Sequence, residues 1–318
     1  MRPFSDMKTP NFPRRRRGFT LIELMVAMGI TAIIVTVLVS ITGVATDTWT
    51  RSRSAVRAAR QAKVMLDTMA KDLESFVSRR GQSAEWLVAE IDDQANLPKV
   101  ARDGNAPEVA SMTFFTAATD RYFGQVGTAD DKGGDVSCVS YRMRYQDPIQ
   151  SGGSSDRTKT FVLYRLLVNP DETFQSLLGE EDLKNKFSGF VNEVTEEENF
   201  VCENVTQFTV TFLVEVTRSG GEGGGNTVET ARVTLGSDNS GDEFSLSGTG
   251  IDTDISADGF SVDEIKGGRL TGVELSISVI SDAGLVRINS GGGGGGLNEK
   301  DYARQVFHYS RTVELPGM

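Results

Sequence analysis

Residues Arg14 to Ala45 constrain this chain more than any other stretch. Four arginines and Gly18 lead into 27 residues, Phe19 to Ala45, among which Glu23 is the one formally charged side chain. At ~1.5 Å per residue this run makes a helix of roughly 40 Å, enough to cross a ~30 Å hydrocarbon core with some tilt. Basic residues beside one end of a span keep that end cytoplasmic, so residues 46–318 are expected on the other side of the membrane. A secretory signal peptide would carry an apolar region of only about 7–15 residues, ending at a small-residue cleavage site.

Glu23 needs a reason. A carboxylate inside a membrane helix costs a few kcal/mol at the bilayer centre and usually marks function. Near the start of the run it can also snorkel to the headgroups, and the plain reading is a tolerated interfacial acid. Its surroundings suggest more. Behind a basic leader, Gly18-Phe19-Thr20-Leu21-Ile22-Glu23-Leu24-Met25-Val26-Ala27 resembles the prepilin signal of type IV pilins and type II secretion pseudopilins. The resemblance implies that a prepilin peptidase cuts after Gly18 and methylates the new N-terminus, Phe19. It implies that Glu23 pairs with the terminal amine of a neighbouring subunit. An ammonium and a carboxylate are each costly alone in lipid and much less so together. The implied partners are prepilin peptidase, other pilins or pseudopilins of the same filament, an assembly platform in the inner membrane, and membrane lipid. The close match covers residues 14 to about 45; beyond it the resemblance is architectural, most similar to J-type minor pseudopilins and W-type minor pilins. Large subunits of that kind imply a place in a complex that starts the filament.

The net charge of −11 hides an asymmetry. Of 33 basic and 44 acidic residues, six and one lie in residues 1–18, leaving 27 against 43, a balance of −16. So acidic a body is not built to bind nucleic acid, which needs basic clusters. Arg51, Arg53, Arg57 and Arg60 are a local exception along one helix, where headgroups or a neighbour's acidic side chains are the expected company.

No proline interrupts Phe19 to Arg80. From Trp49 on, Val56, Ala59, Ala62, Leu66, Met69 or Ala70, Leu73, Phe76 and Val77 keep spacings of three and four, an apolar stripe on a helix. Gly81 suits a C-cap. One helix is therefore expected over residues 19–80, transmembrane at 19–45, after a leader at 1–18 and before a β-rich body at 81–318. Strand signals dominate that body: Met112 to Phe115, Val139 to Tyr145 in half-buried alternation, Thr160 to Val168, Phe208 to Val216, Val228 to Leu235, Val273 to Val279 and Val306 to Leu315. Phe174 to Val194 has helical spacing. Gly236 to Lys266, rich in Ser, Asp and Gly, reads as an exposed insertion. The tracts Gly220–Gly225 and Gly291–Gly296 read as flexible loops, the second as a long hairpin loop. The fold class is α+β, a long N-terminal helix packed on an antiparallel sheet.

Candidate chemistry is sparse. Outside the cytoplasm a disulfide between Cys138 and Cys202 is permitted, with two separate buried thiols as the alternative. Asp252, Asp254, Ser256, Asp258 and Asp263 alternate like ligands of a calcium loop, yet Ala257 stands where an EF-hand wants Gly and Asp263 where it wants Glu. A solvated acidic loop is expected there; Asp130, Asp131 and Asp135 are weaker still, and no metal or cofactor is assigned. His308 is the sole histidine and falls in a strand with no nucleophile elbow, so no catalytic role is expected. Two functions stay open: a minor pilin or pseudopilin of a secretion or pilus-like filament, and a membrane-anchored extracytoplasmic binding module for an exported substrate or a surface.

Overall fold

A computed structural model describes residues 18–117, 135–148, 159–218, 227–237, 241–290 and 296–315. The leader before Gly18, the tract Gly220–Gly225, most of Gly291–Gly296, and Asp130 and Asp131 lie outside the described residues. Two compact units divide the chain, residues 1–52 and 53–318. Helix α1 (Leu21–Glu74) contributes to both.

In the first unit every described residue of α1 is exposed, including the membrane-length apolar window. Its threonine hydroxyls bond back to the helix backbone. Thr31 donates to the Ala27 carbonyl at 2.8 Å, Thr36 to Ala32 at 2.9 Å and Thr42 to Leu38 at 2.8 Å. A helix whose backbone groups and threonine hydroxyls bond within the segment suits hydrocarbon.

In the second unit α1 buries Ala58, Ala62, Met65, Leu66, Met69, Ala70 and Leu73 at spacings of three and four. Val56, expected on this stripe, is 48% exposed. Two residues before Ala58, it points about 200° away around the helix. The helix ends at Glu74, not Arg80. Strand β1 (Glu85–Ile91) pairs with β2 (Ala110–Thr116) only as far as Phe114. Phe76 and Val77 occupy the open edge beyond it. Phe76 bridges Thr116, the Val77 N–H donates to the Phe115 carbonyl at 2.9 Å, and the Phe76 ring sits 6.2 Å from Phe114. Extended backbone there gains sheet bonds and an aromatic contact that another helical turn would forgo. Gly81, with φ +87°, is a turn residue that donates to the Gly248 carbonyl, rather than the helix cap. The body thus begins at residue 53, and the second half of the helix is part of it.

Two antiparallel sheets, rather than one, complete the body. The seven-stranded sheet runs β5-β4-β3-β2-β1-β8-β9, with β3 at Ser137–Gln146, β4 at Thr160–Val168, β5 at Phe200–Glu203, β8 at Glu243–Ser247 and β9 at Gly250–Thr253. The four-stranded sheet runs β11-β10-β6-β7, with β6 at Val205–Arg218, β7 at Thr227–Leu235, β10 at Arg269–Ile280 and β11 at Val306–Glu314. Phe208, Val210, Phe212 and Val214 alternate along β6 with no exposure. Phe212 stacks on Phe244 of β8 at 3.9 Å, joining the two sheets.

Three expectations need correction. Strand β3 is buried on both faces, not one. Helices α2 (Pro170–Ser176), α3 (Leu183–Phe187) and α4 (Val191–Val194) realise the helical spacing of Phe174–Val194, and α2 and α3 meet its second face while α4 packs on β4. There Thr173 Oγ1 accepts from the Cys138 N–H at 3.0 Å, and Arg142 lies over the Phe187 ring. Arg142 and Arg144, expected in solvent, instead pair with Glu90 at 3.1 Å and Asp92 at 2.6 Å. The stretch Gly236 to Lys266 is not an exposed insertion. It supplies β8, β9 and α5 (Val262–Lys266), and buries Phe244, Leu246 and Ile251. Its polar residues alternate with three apolar ones, a two-residue period that composition alone conceals. Gly248 is required at its turn, because a Cβ there would lie 2.4 Å from the Gln82 carbonyl. Finally, α6 (Asp282–Ser290) and α7 (Glu299–Gln305) stand between β10 and β11, where a plain hairpin loop was expected.

Candidate functional site

The first turn of α1 holds the residues singled out by motif. Thr20 is the N-cap and Glu23 occupies the third helical position. The backbone N–H and the hydroxyl of Thr20 each donate to Glu23 Oε2 at 2.9 Å, and the Glu23 N–H donates back to Thr20 Oγ1 at 3.3 Å. This is a reciprocal capping box. It satisfies donors that every helix start leaves orphaned, and it holds a negative charge at the positive end of the helix dipole. The Thr-x-x-Glu spacing that encodes it is legible in the sequence. A cationic group brought beside Phe19 would meet a carboxylate already fixed in place.

Among the described residues, a Cβ added at Gly18 would meet nothing within 4 Å. Phe19 is 89% exposed, so its aromatic ring packs on nothing in this chain.

Residues 13–39 match the family profile described as the prokaryotic N-terminal methylation motif. Over this segment the chain is similar to the N-terminal signal of type IV pilins and pseudopilins. A solved type IV-like pilin from Thermus thermophilus aligns with 82% of this chain and 97% of its own, at 10% identity and a TM-score of 0.30, a likeness that carries no argument. Comparison with curated proteins gives no match. The α+β architecture of this chain rests on its own elements: a long apolar N-terminal helix and an antiparallel body.

The site that sequence reasoning missed lies where α1 meets the seven-stranded sheet. Asp72 accepts from Arg165 Nε at 2.7 Å and Nη2 at 2.8 Å, a bidentate pair, and from the Tyr141 hydroxyl at 2.5 Å. Each of the three is at most 1% exposed. Burial works against the Arg165 charge, but the hydrogen bonds and charge of Asp72 prevail and raise its pKa. Burial, and then the Asp72 charge, push the Tyr141 phenol well above its usual range, so it remains a donor. Two signals could have revealed this site. Asp72 stands three residues after Met69, on the apolar stripe, and Arg165 interrupts the apolar run TFVLYRLLV.

Cys138 and Cys202 are separate buried thiols, which decides against the disulfide. Cys138 pairs across to Val168 and Cys202 to Leu163, so β4 lies between them. Two strand spacings and the offset along β4 put them roughly 20 Å apart, where a disulfide needs Cα atoms within about 7 Å. Burial pushes the Cys138 thiol up, and burial with the nearby Glu203 charge pushes Cys202 up to about 12. Both stay protonated and unreactive near neutral pH. A thiol-reactive probe on the native protein is therefore expected to leave both unlabelled, and to label both once the chain is unfolded. Labelling of either in the native state would contradict this burial.

In the acidic loop, Asp252 pairs with Lys266 at 2.7 Å, which with its hydrogen bond holds the Asp252 carboxyl below its usual range. Asp254 accepts from the Glu243 N–H. Asp263 belongs to the first turn of α5, which Ser261 and Glu264 cap, and among the described residues no acidic group is gathered as a metal site. His308 lies on the exposed side of β11 with Nδ1 2.8 Å from Ser278 Oγ, and no carboxylate bonds its ring among the described residues.

Proposed function

We propose that this chain is a minor pilin or pseudopilin, a membrane-anchored subunit of a type II secretion pseudopilus or type IV pilus-like filament, within the complex that starts assembly. The observation that carries the reading is Gly18. Among the described residues nothing crowds a side chain at this glycine, which stands at the junction between a basic leader and a capped apolar helix. Recognition from outside the chain accounts for a glycine at that junction. In this reading prepilin peptidase removes residues 1–18 and methylates Phe19. The four arginines hold the leader in the cytoplasm, α1 crosses the inner membrane once, and the acidic body lies beyond it. The new amine at Phe19 stands at the positive end of the helix dipole, an unfavourable place for a cation, and Glu23 offsets it. The same carboxylate is available to the amine of a neighbouring subunit. Other pilins, the inner-membrane platform and lipid are the partners. A body of this size tolerates neighbours on few sides, which favours an end of the filament over its shaft.

Gly18→Ala tests this. The added methyl meets nothing, so the fold is expected to be intact and the mature mass absent, with the leader retained. Intact-mass measurement on protein from cells carrying the peptidase decides. Normal trimming of the variant would rule out the cleavage assignment.

A further inference from the structure

The four-stranded sheet buries one face and turns the other outward. On β10, Leu275, Ile277 and Val279 are buried, and Ser276 and Ser278 alternate with them on the opposite face. The register extends those two serines into rows. Gln207, Ser278 and His308 stand side by side across β6, β10 and β11, and Thr209, Ser276 and Ser310 form the next row. All six are polar, and none is Lys, Arg, Asp or Glu. That is unusual on the outer face of a chain in which 24% of residues are charged. The acid in the row beyond, Glu274, is already paired with Arg232 of β7 at 2.5 Å.

The two rows line a groove of about 250 Å³. Its base is held by internal bonds. Ser278, 5% exposed, has its hydroxyl 2.8 Å from His308 Nδ1, and Gln207 Nε2 and Thr209 Oγ1 donate to the Gly236 carbonyl at 3.2 and 3.0 Å. Its outer groups are free. Among the described residues the Ser276 and Ser310 hydroxyls and His308 Nε2 have no hydrogen-bond partner, and Ser310 and His308 are exposed. Side chains on one face recur about 6.8 Å apart along β11, and neighbouring strands lie about 4.8 Å apart, so these donors and acceptors form a regular array. The Tyr302 ring of α7 lies 6.3 Å from the His308 ring and adds a flat apolar surface beside it.

We infer that this face binds an uncharged glycan chain. A hydroxyl donates and accepts at once, and so do the hydroxyls of a sugar. An array of Ser, Thr, Gln and His therefore meets a polyhydroxyl ligand without stranding a charge on either side. An anionic polymer meets a chain of net charge −11 and no Lys or Arg in the two rows, and a cationic ligand meets no carboxylate there. A protein partner finds none of the Trp, Tyr or Arg anchors that carry most interfaces among the six. The inference goes beyond the reading above, since it requires neither leader removal nor Glu23.

The test uses the full chain, purified in a nonionic detergent without a sugar headgroup, on an array of immobilised oligosaccharides. The array carries neutral hexose and N-acetylhexosamine chains, with polyuronates for comparison. The wild type is expected to bind at least one neutral chain, with little change as salt is raised, and to leave the polyuronates. Ser276→Val/Ser310→Val keeps good strand formers and removes both free hydroxyls, so binding to that chain should weaken by about tenfold or more. A circular dichroism melt checks that the variant is folded; Ser310→Ala, at an exposed position, serves if it is not. A wild type that retains no neutral chain, or only polyuronates, would overturn the inference. So would a folded variant that binds like wild type. Either result leaves the mass of the processed chain unchanged, so failure here is separate from failure of the cleavage assignment.

Discussion

Arg165→Met is expected to destabilise the body by about 3–5 kcal/mol, because it leaves the Asp72 charge buried without its counter-ion. For a body of this size that is a fall in melting temperature of roughly 10 °C or more. The size of the effect follows from the geometry. Asp72 receives two bonds from Arg165 and one from Tyr141 in a site that water does not reach. Removing the arginine takes away two charge-assisted bonds and strands a carboxylate. Removing the whole group should cost much less, since a well-packed apolar replacement of a buried ion pair is often close to neutral. The triple variant Asp72→Leu/Arg165→Met/Tyr141→Phe is therefore expected to melt well above Arg165→Met alone. Thermal unfolding of the full chain in detergent measures both. If the single and triple variants melt together, the loss comes from packing rather than from the stranded charge.

Glu23→Val is expected to leave leader removal intact and to reduce incorporation into filaments by about tenfold or more, the scale of one lost charge-assisted contact. The variant removes two things together, the capping box and the carboxylate. Glu23→Gln separates them. Glutamine can take the third position of a capping box, so the helix start is retained, while the charge is lost. If pairing with a neighbour's amine is the role of Glu23, glutamine should assemble as poorly as valine. Wild-type assembly of Glu23→Gln would reduce Glu23 to a helix cap. Quantifying the subunit in sheared filaments, alongside intact mass of the cellular pool, distinguishes failed assembly from failed processing.

How much of this was legible in the sequence depends on the range of each interaction. The capping box spans three residues, and the helix stripe and strand alternations repeat every two to four, so their signals sit within one window. That is why β2, β4, β6, β7, β10 and β11 lie where a short apolar run or an alternation places them. Burial of β3 on both faces depends on helices supplied from residues 170–194, and nothing in β3 itself announces them. The end of α1 was misplaced for a similar reason. Phe76 and Val77 fit the helical period, but an open edge of β2, distant in sequence, offered them more.

The sequence by itself determined the membrane-length helix, its basic flank, the match to the N-terminal methylation motif and the α+β class, because each is written in local composition and period. Only the tertiary structure decided that Asp72, Tyr141 and Arg165 form one buried group, that Cys138 and Cys202 stay apart, and that β8 and β9 extend the larger sheet. Charges and thiols carry no mark of their partners. Whether a charge is buried, paired or exposed is settled by which strands and helices pack beside it, and that depends on contacts between residues far apart along the chain.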